Sequence, residues 1–366
     1  MSDNRRVYRT IRQAIMQLYP GEPRGNIARM LTTLAAMVSG IVLGKSCQLP
    51  SIAKKAPDRA NPDSRVKRYS RWIQNERIDY EAYYLPFVQE LLYRLAAIRE
   101  LVFIIDGSEV GHGCITLMIS LLYGKRTLPI TWLVVRGCKG HLPEHIHLQL
   151  LGQLQDILPP NARAIFLGDG EFDGIELQAA LQTMEFQYVC RTAKNTLMYE
   201  EDHLFSFRDL LVQPDDLVCV PNVWFTKEGY YGPVTVIAWW EKGYSEPIFL
   251  VTNLDLPDAA CYWYKKRFRI ETFFSDEKSR GFYLHKSHLS DPERLGTLMI
   301  AACLAYLWII YLGLITIREH WVKLIHRADR CDWSLFHLGL ALLDYFLNEE
   351  LPIPVSFTLS DTKSVR

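Results

Sequence analysis

The pattern of apolar and polar positions divides the chain near residue 100, with helical periodicity before it and strand-like runs after it. Residues 26–43 are small and apolar and predict a helix, and a short second helix is expected at 49–55. A turn rich in Pro, Asp and Asn at 57–63 precedes a basic helix predicted at 64–74. We therefore expect residues 1–98 to form a helical domain, in an order compatible with a DNA-reading module.

Continuous apolar runs after residue 100 predict strands. Three runs with short connections indicate an antiparallel meander, at 101–105, 115–123 and 128–135. Helix and strand patterns then alternate, at 143–158, 164–167, 174–184 and 187–191. Three antiparallel strands followed by helix, strand, helix and strand are the order of the ribonuclease-H-like fold, an α/β class with a mixed sheet flanked by helices. We expect residues 99–193 to form the first part of this core.

A different pattern interrupts the core at residues 194–246. Short apolar runs alternate there with Gly and Pro turns, at 205–211, 217–225 and 234–240, and predict a β-rich insertion. A run at 248–252 predicts a strand that returns to the body. The second part of the core is therefore expected at 247–345, with a short tail at 346–366.

One apolar segment is long enough to suggest a membrane span. Residues 295–317 contain no charged side chain for 23 residues, a length that can cross a bilayer. A chemically rich segment ends shortly before it, and a charged helical tail follows it. We therefore predict a core helix buried on all sides and no membrane partner, with the span as the alternative.

Composition and charge change this picture only locally. The chain has 366 residues, 49% of them hydrophobic and 22% charged, and its formal net charge is zero. That balance at first argues against a nucleic-acid partner. Residues 1–80, however, contain fifteen Lys or Arg and only six Asp or Glu. Since local charge governs phosphate binding, the first domain remains a candidate for DNA.

The cysteines and the N-terminus indicate a reducing compartment. Eight cysteines are spread singly along the chain, without a close pair of metal-finger or redox type. Basic residues at the N-terminus are not followed by a long apolar run, so no secretory signal is predicted. We expect reduced thiols and a cytoplasmic protein.

Residues 264–278 contain the most informative polar pattern in the chain. At about 100° per residue, four polar side chains fall within roughly 60° of one another on a helix: Tyr264, Arg267, Glu271 and Lys278. Trp263, Ile270 and Phe274 form a neighbouring apolar stripe, which would dock the helix on a core. The four polar groups are then expected at the edge of a cleft.

Further basic side chains are candidates for contact with DNA. Lys265, Lys266 and Arg269 lie on other faces of the helix predicted at 264–278, where they can meet phosphates. The basic helix of the first domain contributes four further candidates, Arg65, Lys67, Arg68 and Arg71. A solvated helical cap with a charged face is the alternative for this helix.

Two acidic residues follow predicted strands directly. Asp106 ends the first strand and Asp169 follows the fourth. These strands are neighbours in a ribonuclease-H-like sheet, so both carboxylates are expected side by side, where they favour a hard divalent cation. Glu271 would supply a third oxygen ligand. Three such carboxylates can hold two Mg²⁺ ions about 4 Å apart for in-line phosphoryl displacement.

Two further clusters are weaker candidates. His141, His145 and His147 might suggest zinc, but Pro143 lies between them and no cysteine is near, so a polar helix start is favoured. Four tryptophans are possible aromatic stacking surfaces, although each is more typical of a core or sheet position: Trp224, Trp239, Trp240 and Trp263.

The chain resembles a known group of enzymes. The four polar residues of the 264–278 pattern, with two, three and six residues between them, resemble the signature box of bacterial insertion-sequence transposases, the DDE enzymes with a YREK box. Three other segments are similar to parts of the same group, at 71–77, 103–108 and 166–172. The resemblance covers residues from about 25 to about 345. One departure is Gly170, because relatives often carry Arg after the second Asp.

The resemblance implies roles for individual residues. Asp106, Asp169 and Glu271 correspond to the catalytic, metal-binding triad, and Tyr264, Arg267 and Lys278 to contacts with the transposon-end strand. It also implies two Mg²⁺ ions, for which Mn²⁺ can substitute, and double-stranded DNA as both transposon end and target. A homodimer assembled on DNA, near the bacterial nucleoid, is expected.

Three functions follow as hypotheses. The first is a cut-and-paste transposase that binds terminal inverted repeats through residues 1–98 and performs metal-dependent cleavage and strand transfer. The second is a ribonuclease-H-like nuclease that cuts without joining. The third is a domesticated DNA-binding protein without cleavage, and the presence of all three acids weighs against it.

Overall fold

The computed structural model of the chain describes residues 2–137, 139–140, 142–327 and 331–359, without the side chains of residues 279 and 280. His141, one of the candidate zinc ligands, therefore lies outside the described residues. Six helices come first: α1 Asp3–Leu18, α2 Gly25–Gly44, α3 Leu49–Lys54, α4 Pro62–Ile73, α5 Tyr80–Tyr83 and α6 Leu85–Ala96. The sequence pattern predicts α2, α3 and α4 to within two residues at each end. Helix α4 begins where Asn61 accepts a hydrogen bond from the Asp63 N–H and Pro62 occupies the first turn.

Strands dominate the middle of the chain. The strands are β1 Leu101–Gly111, β2 Cys114–Tyr123, β3 Arg126–Arg136, β4 Ala164–Gly168, β5 Gln187–Arg191, β6 Leu197–Glu200, β7 His203–Ser206, β8 Leu217–Phe225, β9 Tyr231–Trp239 and β10 Ile248–Thr252. Helices α7 Glu144–Ile157 and α8 Ile175–Thr183 precede β4 and β5. Strands β5 and β10 occupy the residues predicted for them. In the insertion, β8 occupies its predicted residues, whereas only the first two residues of the run at 205–211 are in a strand, at the end of the short β7.

The described strands form one ten-stranded mixed sheet in the order β3-β2-β1-β4-β5-β10-β9-β8-β6-β7. Strand β1 pairs antiparallel with β2 and parallel with β4, and β4 pairs parallel with β5. Helices α7 and α8 make the connections into the two parallel strands. This order is the ribonuclease-H-like core predicted from the sequence. Strand β10 joins antiparallel to β5 and then to β9, so the β-rich insertion extends the same sheet.

The first strand is longer than its apolar run predicts. Strand β1 continues past Ile105 to Gly111 because it stays paired with β2, with Asp106 opposite Met118. The prediction that Asp106 ends the strand is therefore wrong. Pairing with β4 does stop earlier, at Ile104 opposite Leu167, so Asp106 extends beyond that neighbour.

Helices return after β10: α9 Pro257–Tyr264, α10 Ile270–Ser275, α11 Pro292–Arg318, α12 Val322–Ile325 and α13 Leu335–Asn348. Two described helices, α2 and α11, are long and apolar enough to cross a bilayer, but 56% and 94% of their apolar windows are buried inside the protein. The uncharged run at 295–317 is thus a central core helix, as preferred from the sequence. Helix α13 lies close on α11, where Gly313 and Gly339 leave no room for a Cβ atom against the facing backbone.

The 264–278 segment is not one continuous helix, which corrects the sequence analysis. Helix α9 ends at Tyr264, a 3₁₀ turn covers Arg267–Arg269, and a π-helical turn, Asp276–Arg280, follows α10. The interruption lets α9 pack on β5 while α10 packs on β1 and β3. A single straight helix could not face both parts of the sheet.

The N-terminal helices share packing with the rest of the chain. Helices α2 and α4 contact α11. The hydroxyls of Tyr80 and Tyr84 donate to the carbonyl oxygens of Ile130 and Pro129, each at 2.7 Å, and Trp132 lies edge-on to Tyr84. The helical region therefore rests on α11 and β3, close to the sheet that positions the candidate site.

Candidate active site

Asp106 is a carboxylate held inside the sheet. Its residue is only 2% exposed, and one carboxylate oxygen accepts a hydrogen bond of 2.7 Å from the Gly107 N–H. Burial raises the pKa of Asp106, whereas Lys139 acts to lower it and Asp169 to raise it further. A carboxylate in this position needs a cation close by.

Asp169 leaves the neighbouring strand β4 at the same edge. Its side chain accepts from the Glu171 N–H at 3.1 Å, and its carbonyl oxygen accepts from the Phe172 N–H at 3.0 Å. A Cβ atom on Gly168 would lie 2.7 Å from the Phe172 Cβ and 3.3 Å from the Cys190 sulfur. Only glycine therefore lets the chain turn this closely after β4 and present Asp169 beside Asp106.

Glu271 and Arg267 reach the two aspartates from the opposite side. Glu271 lies in the first turn of α10, with 63% of its side chain exposed, and Arg267 lies four residues earlier with 16% exposed. One terminal nitrogen of Arg267 is 3.7 Å from Asp106 Oδ2 and 3.8 Å from Asp169 Oδ2. The other is 3.7 Å from Glu271 Oε1. The structure thus brings all three predicted acids around one guanidinium.

The two aspartates are therefore close neighbours, since both lie within 3.8 Å of the same nitrogen. In the part of the chain that the structure describes, no three His, Cys, Asp or Glu side chains are grouped so that they could hold a metal ion. The three carboxylates lie around the Arg267 guanidinium and do not form a set of oxygens around an open metal position. The sequence predicts that the three acids share a metal site, and it does not predict that the Arg267 guanidinium lies among them.

Lys139 is a site residue that the sequence analysis missed. It lies in the connection between β3 and α7, and its Nζ is 3.0 Å from Asp106 Oδ1. The only signal was a lysine in a glycine-rich turn that leads into α7, and nothing in one sequence tells which strand that turn lies beside. Lys278, which was predicted, also faces this edge: burial lowers its pKa, while Glu109 and Asp106 act to raise it.

Further acids line the turn after β4. Glu171 accepts a hydrogen bond from the Leu142 N–H at 3.2 Å, and burial raises its pKa, with Asp169 and Asp106 adding to the effect. Burial likewise raises the pKa of Asp173. These groups are close to the triad in sequence, and each has local polar partners. They add further acidic side chains to the edge where Lys139 and Arg267 lie.

The remaining predicted residues of the 264–278 segment lie on different sides of α9 and the turn that follows it. Tyr264 is 7% exposed, with Arg267 over its ring at 5.9 Å. Lys265 is exposed, lies over the buried Trp239 and pairs with Glu241 at 2.6 Å. Arg269 lies over the exposed Phe268. Tyr264 therefore packs in the core beside the site, while Lys265 and Arg269 face solvent-accessible surface.

The four basic residues predicted on α4 separate into two pairs. Arg65 and Arg68 both bind Asp58, at 2.9 and 2.7 Å, and Arg65 also donates to the Ala53 carbonyl. They hold the turn before α4. Lys67 and Arg71 are exposed. The exposed pair is the part of α4 that a phosphate backbone can approach.

Two of the tryptophan candidates and one histidine candidate pack against other aromatic rings or lie in the core. Trp224 stacks flat on the half-exposed Tyr230, with ring centroids 4.7 Å apart, whereas Trp239 is buried. His147 packs on Phe172 and is 3% exposed, and burial lowers its pKa to about 4. This burial fits a neutral core histidine.

The topology and the acids define a class of protein. A ribonuclease-H-like sheet with carboxylates brought together beside β1 and β4 is the arrangement of phosphodiester-cutting enzymes of that fold. A family model described as "Transposase DDE domain" matches residues 99–308, more than half of the chain. The chain therefore belongs to the transposase DDE domain family.

Two other comparisons add little. No curated protein matches the chain. Among solved structures, the chain is similar to a piggyBac transposase in a synaptic complex with hairpin DNA, determined by cryo-electron microscopy. The TM-score is 0.46 at 13% identity, covering 95% of this chain and 80% of that one. A similarity this low adds nothing to what the sheet topology and the family match show.

Proposed function

We propose that this transposase-family chain cuts and joins DNA with Asp106, Asp169 and Glu271 as its catalytic triad. The observation that carries the proposal is their convergence on Arg267, although 101 residues separate Asp169 from Glu271 in the sequence. Acids so far apart along the chain can each lie near this one guanidinium because β1 and β4 are neighbours and α10 packs across β1.

The three acids are of the residue type that binds a hard divalent metal, although Arg267 now lies among them. Carboxylate oxygens are the ligands that Mg²⁺ and Mn²⁺ prefer, and Asp106 is buried where an unpaired charge is costly. We propose that the three acids hold two Mg²⁺ ions, with Mn²⁺ as a substitute. When bound, such ions would activate the attacking hydroxyl and stabilise the leaving oxygen.

The chain's own residues account for the other tasks. Asp106 is held by the Gly107 N–H, and Asp169 by the Glu171 N–H, so both carboxylates are oriented before any ligand arrives. Arg267 and Lys278 supply positive charge at the same edge, where a phosphate backbone would lie. Lys265, Arg269, Lys67 and Arg71 are proposed as outer contacts to DNA.

The full proposal is a cut-and-paste transposase of a bacterial insertion sequence with a YREK box. Residues 1–98 would bind the terminal inverted repeats, and two chains would pair two ends. The surplus of positive charge in residues 1–80 supports this assignment. Such an enzyme would act in the cytoplasm on nucleoid DNA.

The experiment starts by sequencing DNA on both sides of the gene to find inverted repeats. Duplexes carrying those repeats are then incubated with the purified chain and Mg²⁺ or Mn²⁺. Asp106→Asn, Asp169→Asn and Glu271→Gln should each abolish cleavage and leave repeat binding in a gel-shift assay largely intact. Glu176→Gln, which removes an exposed carboxylate in the first turn of α8, should cleave normally. Full cleavage by any of the three triad variants removes that residue from the site.

The same assay separates the competing functions. Joined products with a target plasmid support a transposase, whereas cleavage without joining indicates a nuclease. Binding without cleavage by the unaltered chain indicates a domesticated DNA-binding protein. Light scattering of the protein with and without the repeat duplex tests the proposed dimer.

A further inference from the structure

Arg267 and Lys139 occupy the space that the proposed chemistry requires to be open. Arg267 lies within 3.8 Å of all three acids, and Lys139 is 3.0 Å from Asp106. The three carboxylates thus carry their own side-chain cations when no DNA is present. A divalent ion approaching Asp106 and Asp169 has to displace the nitrogen that lies between them.

The two cations differ in how freely they can leave. Arg267 is 16% exposed and lies beside the ring of the buried Tyr264. Its guanidinium can therefore leave the acids only by rotation of its own side-chain bonds. Lys139 is 48% exposed, on a turn, and has a flexible stem. Both sit at the edge where a phosphate backbone would have to enter to reach the acids. A bound strand would therefore offer each of them a new anionic partner.

We propose that Lys139 and Arg267 are displaceable counter-ions of this site, which hold the three carboxylates without DNA and transfer to phosphates of the bound strand. The inference rests on the proposed function and adds Lys139 to the residues that contact the substrate. Because DNA would draw both cations away from the carboxylates, metal binding and DNA binding would strengthen one another. By linkage, DNA raises metal affinity by the factor by which metal raises DNA affinity.

The test measures metal binding rather than activity. Isothermal titration calorimetry with Mn²⁺ alone is performed on the DNA-free chain and on Arg267→Gln and Lys139→Gln. Each variant should bind Mn²⁺ about tenfold more tightly than the unaltered chain, because one competing cation is gone. Lys139→Arg should restore the weaker binding. Arg94→Gln, which removes a surface cation paired with Glu90 on α6, should change nothing.

A second titration adds the duplex copied from the DNA beside the gene. It should tighten Mn²⁺ binding of the unaltered chain, and tighten it less in the two Gln variants. Equal or weaker Mn²⁺ binding by both variants without DNA overturns the inference. If Asp106→Asn still abolishes Mn²⁺ binding in that case, the proposed metal site stands. Absence of Mn²⁺ binding in every protein, with and without duplex, overturns both.

Discussion

The burial of Glu277 leads us to expect that the stability of the folded chain falls as pH rises. It lies in the π-helical turn after α10, is 2% exposed, and neither carboxyl oxygen has a hydrogen-bond partner among the described residues. The next residue toward the N-terminus, Asp276, is instead paired with the buried Arg126. Burial raises the pKa of Glu277 well above its ordinary value of 4.5, and Asp276 adds to the effect. The carboxyl group of the folded chain therefore keeps its proton to a higher pH than an exposed glutamic acid does.

The sign and size of the effect follow from proton linkage. Above about pH 4.5 the unfolded chain loses the Glu277 proton, whereas the folded chain keeps it. Unfolding then releases a proton, so stability falls as pH rises, by about 1.4 kcal/mol for each pH unit, until the folded-state pKa is reached. The Cys47 and Cys303 thiols, which interact with Glu277, add no titration in this window, because burial raises their pKa values as well.

The variant Glu277→Gln keeps the shape of the side chain and removes its ionisable group. Urea denaturation midpoints of both proteins are compared at several values between about pH 5 and pH 8. Between the unfolded-state and folded-state pKa values of Glu277, the stability difference should favour the variant increasingly with pH, by about 1.4 kcal/mol per unit. Glu200→Gln, an exposed control, should show no such trend. A difference between Glu277→Gln and the unaltered chain that stays constant across this range would refute the reasoning.

Three further changes test the site and the core. Arg267→Ala should weaken complexes with repeat DNA and lower the slope of log affinity against log salt by about one, measured by fluorescence anisotropy; an unchanged slope would count against a phosphate contact. Asp276→Asn leaves the buried Arg126 without its charge partner and should cost about 3–5 kcal/mol in urea denaturation, while a loss below about 1 kcal/mol would contradict a buried pair. Gly339→Ala would push α13 off the α11 backbone and should cost about 1–3 kcal/mol. Gly152→Ala on α7 meets no atom within 4 Å and should instead stabilise by about 0.5–1 kcal/mol, so equal effects at the two glycines would be the contrary result.

Local patterns predicted the elements whose causes are local. Strands β5 and β10 follow from short apolar runs bounded by polar residues, and α4 from the Pro, Asp and Asn turn that precedes it. Strand β1 was predicted too short, because its second half is held by pairing with β2 rather than by its own residues. The break after Tyr264 was missed for the same kind of reason. Helices α9 and α10 dock on different strands, and periodicity within one segment does not record that.

The amino-acid sequence by itself determined the order of strands and helices, the central apolar helix, and the three acids with their spacing to Arg267, since these depend on residue type and near neighbours. Only the tertiary structure decided that Asp106 is buried within a strand, that Lys139 reaches it, and that the guanidinium of Arg267 stands among the acids. Those contacts join residues up to 161 positions apart, from Asp106 to Arg267. They exist because strand pairing and helix docking, rather than local preference, set the distances between them.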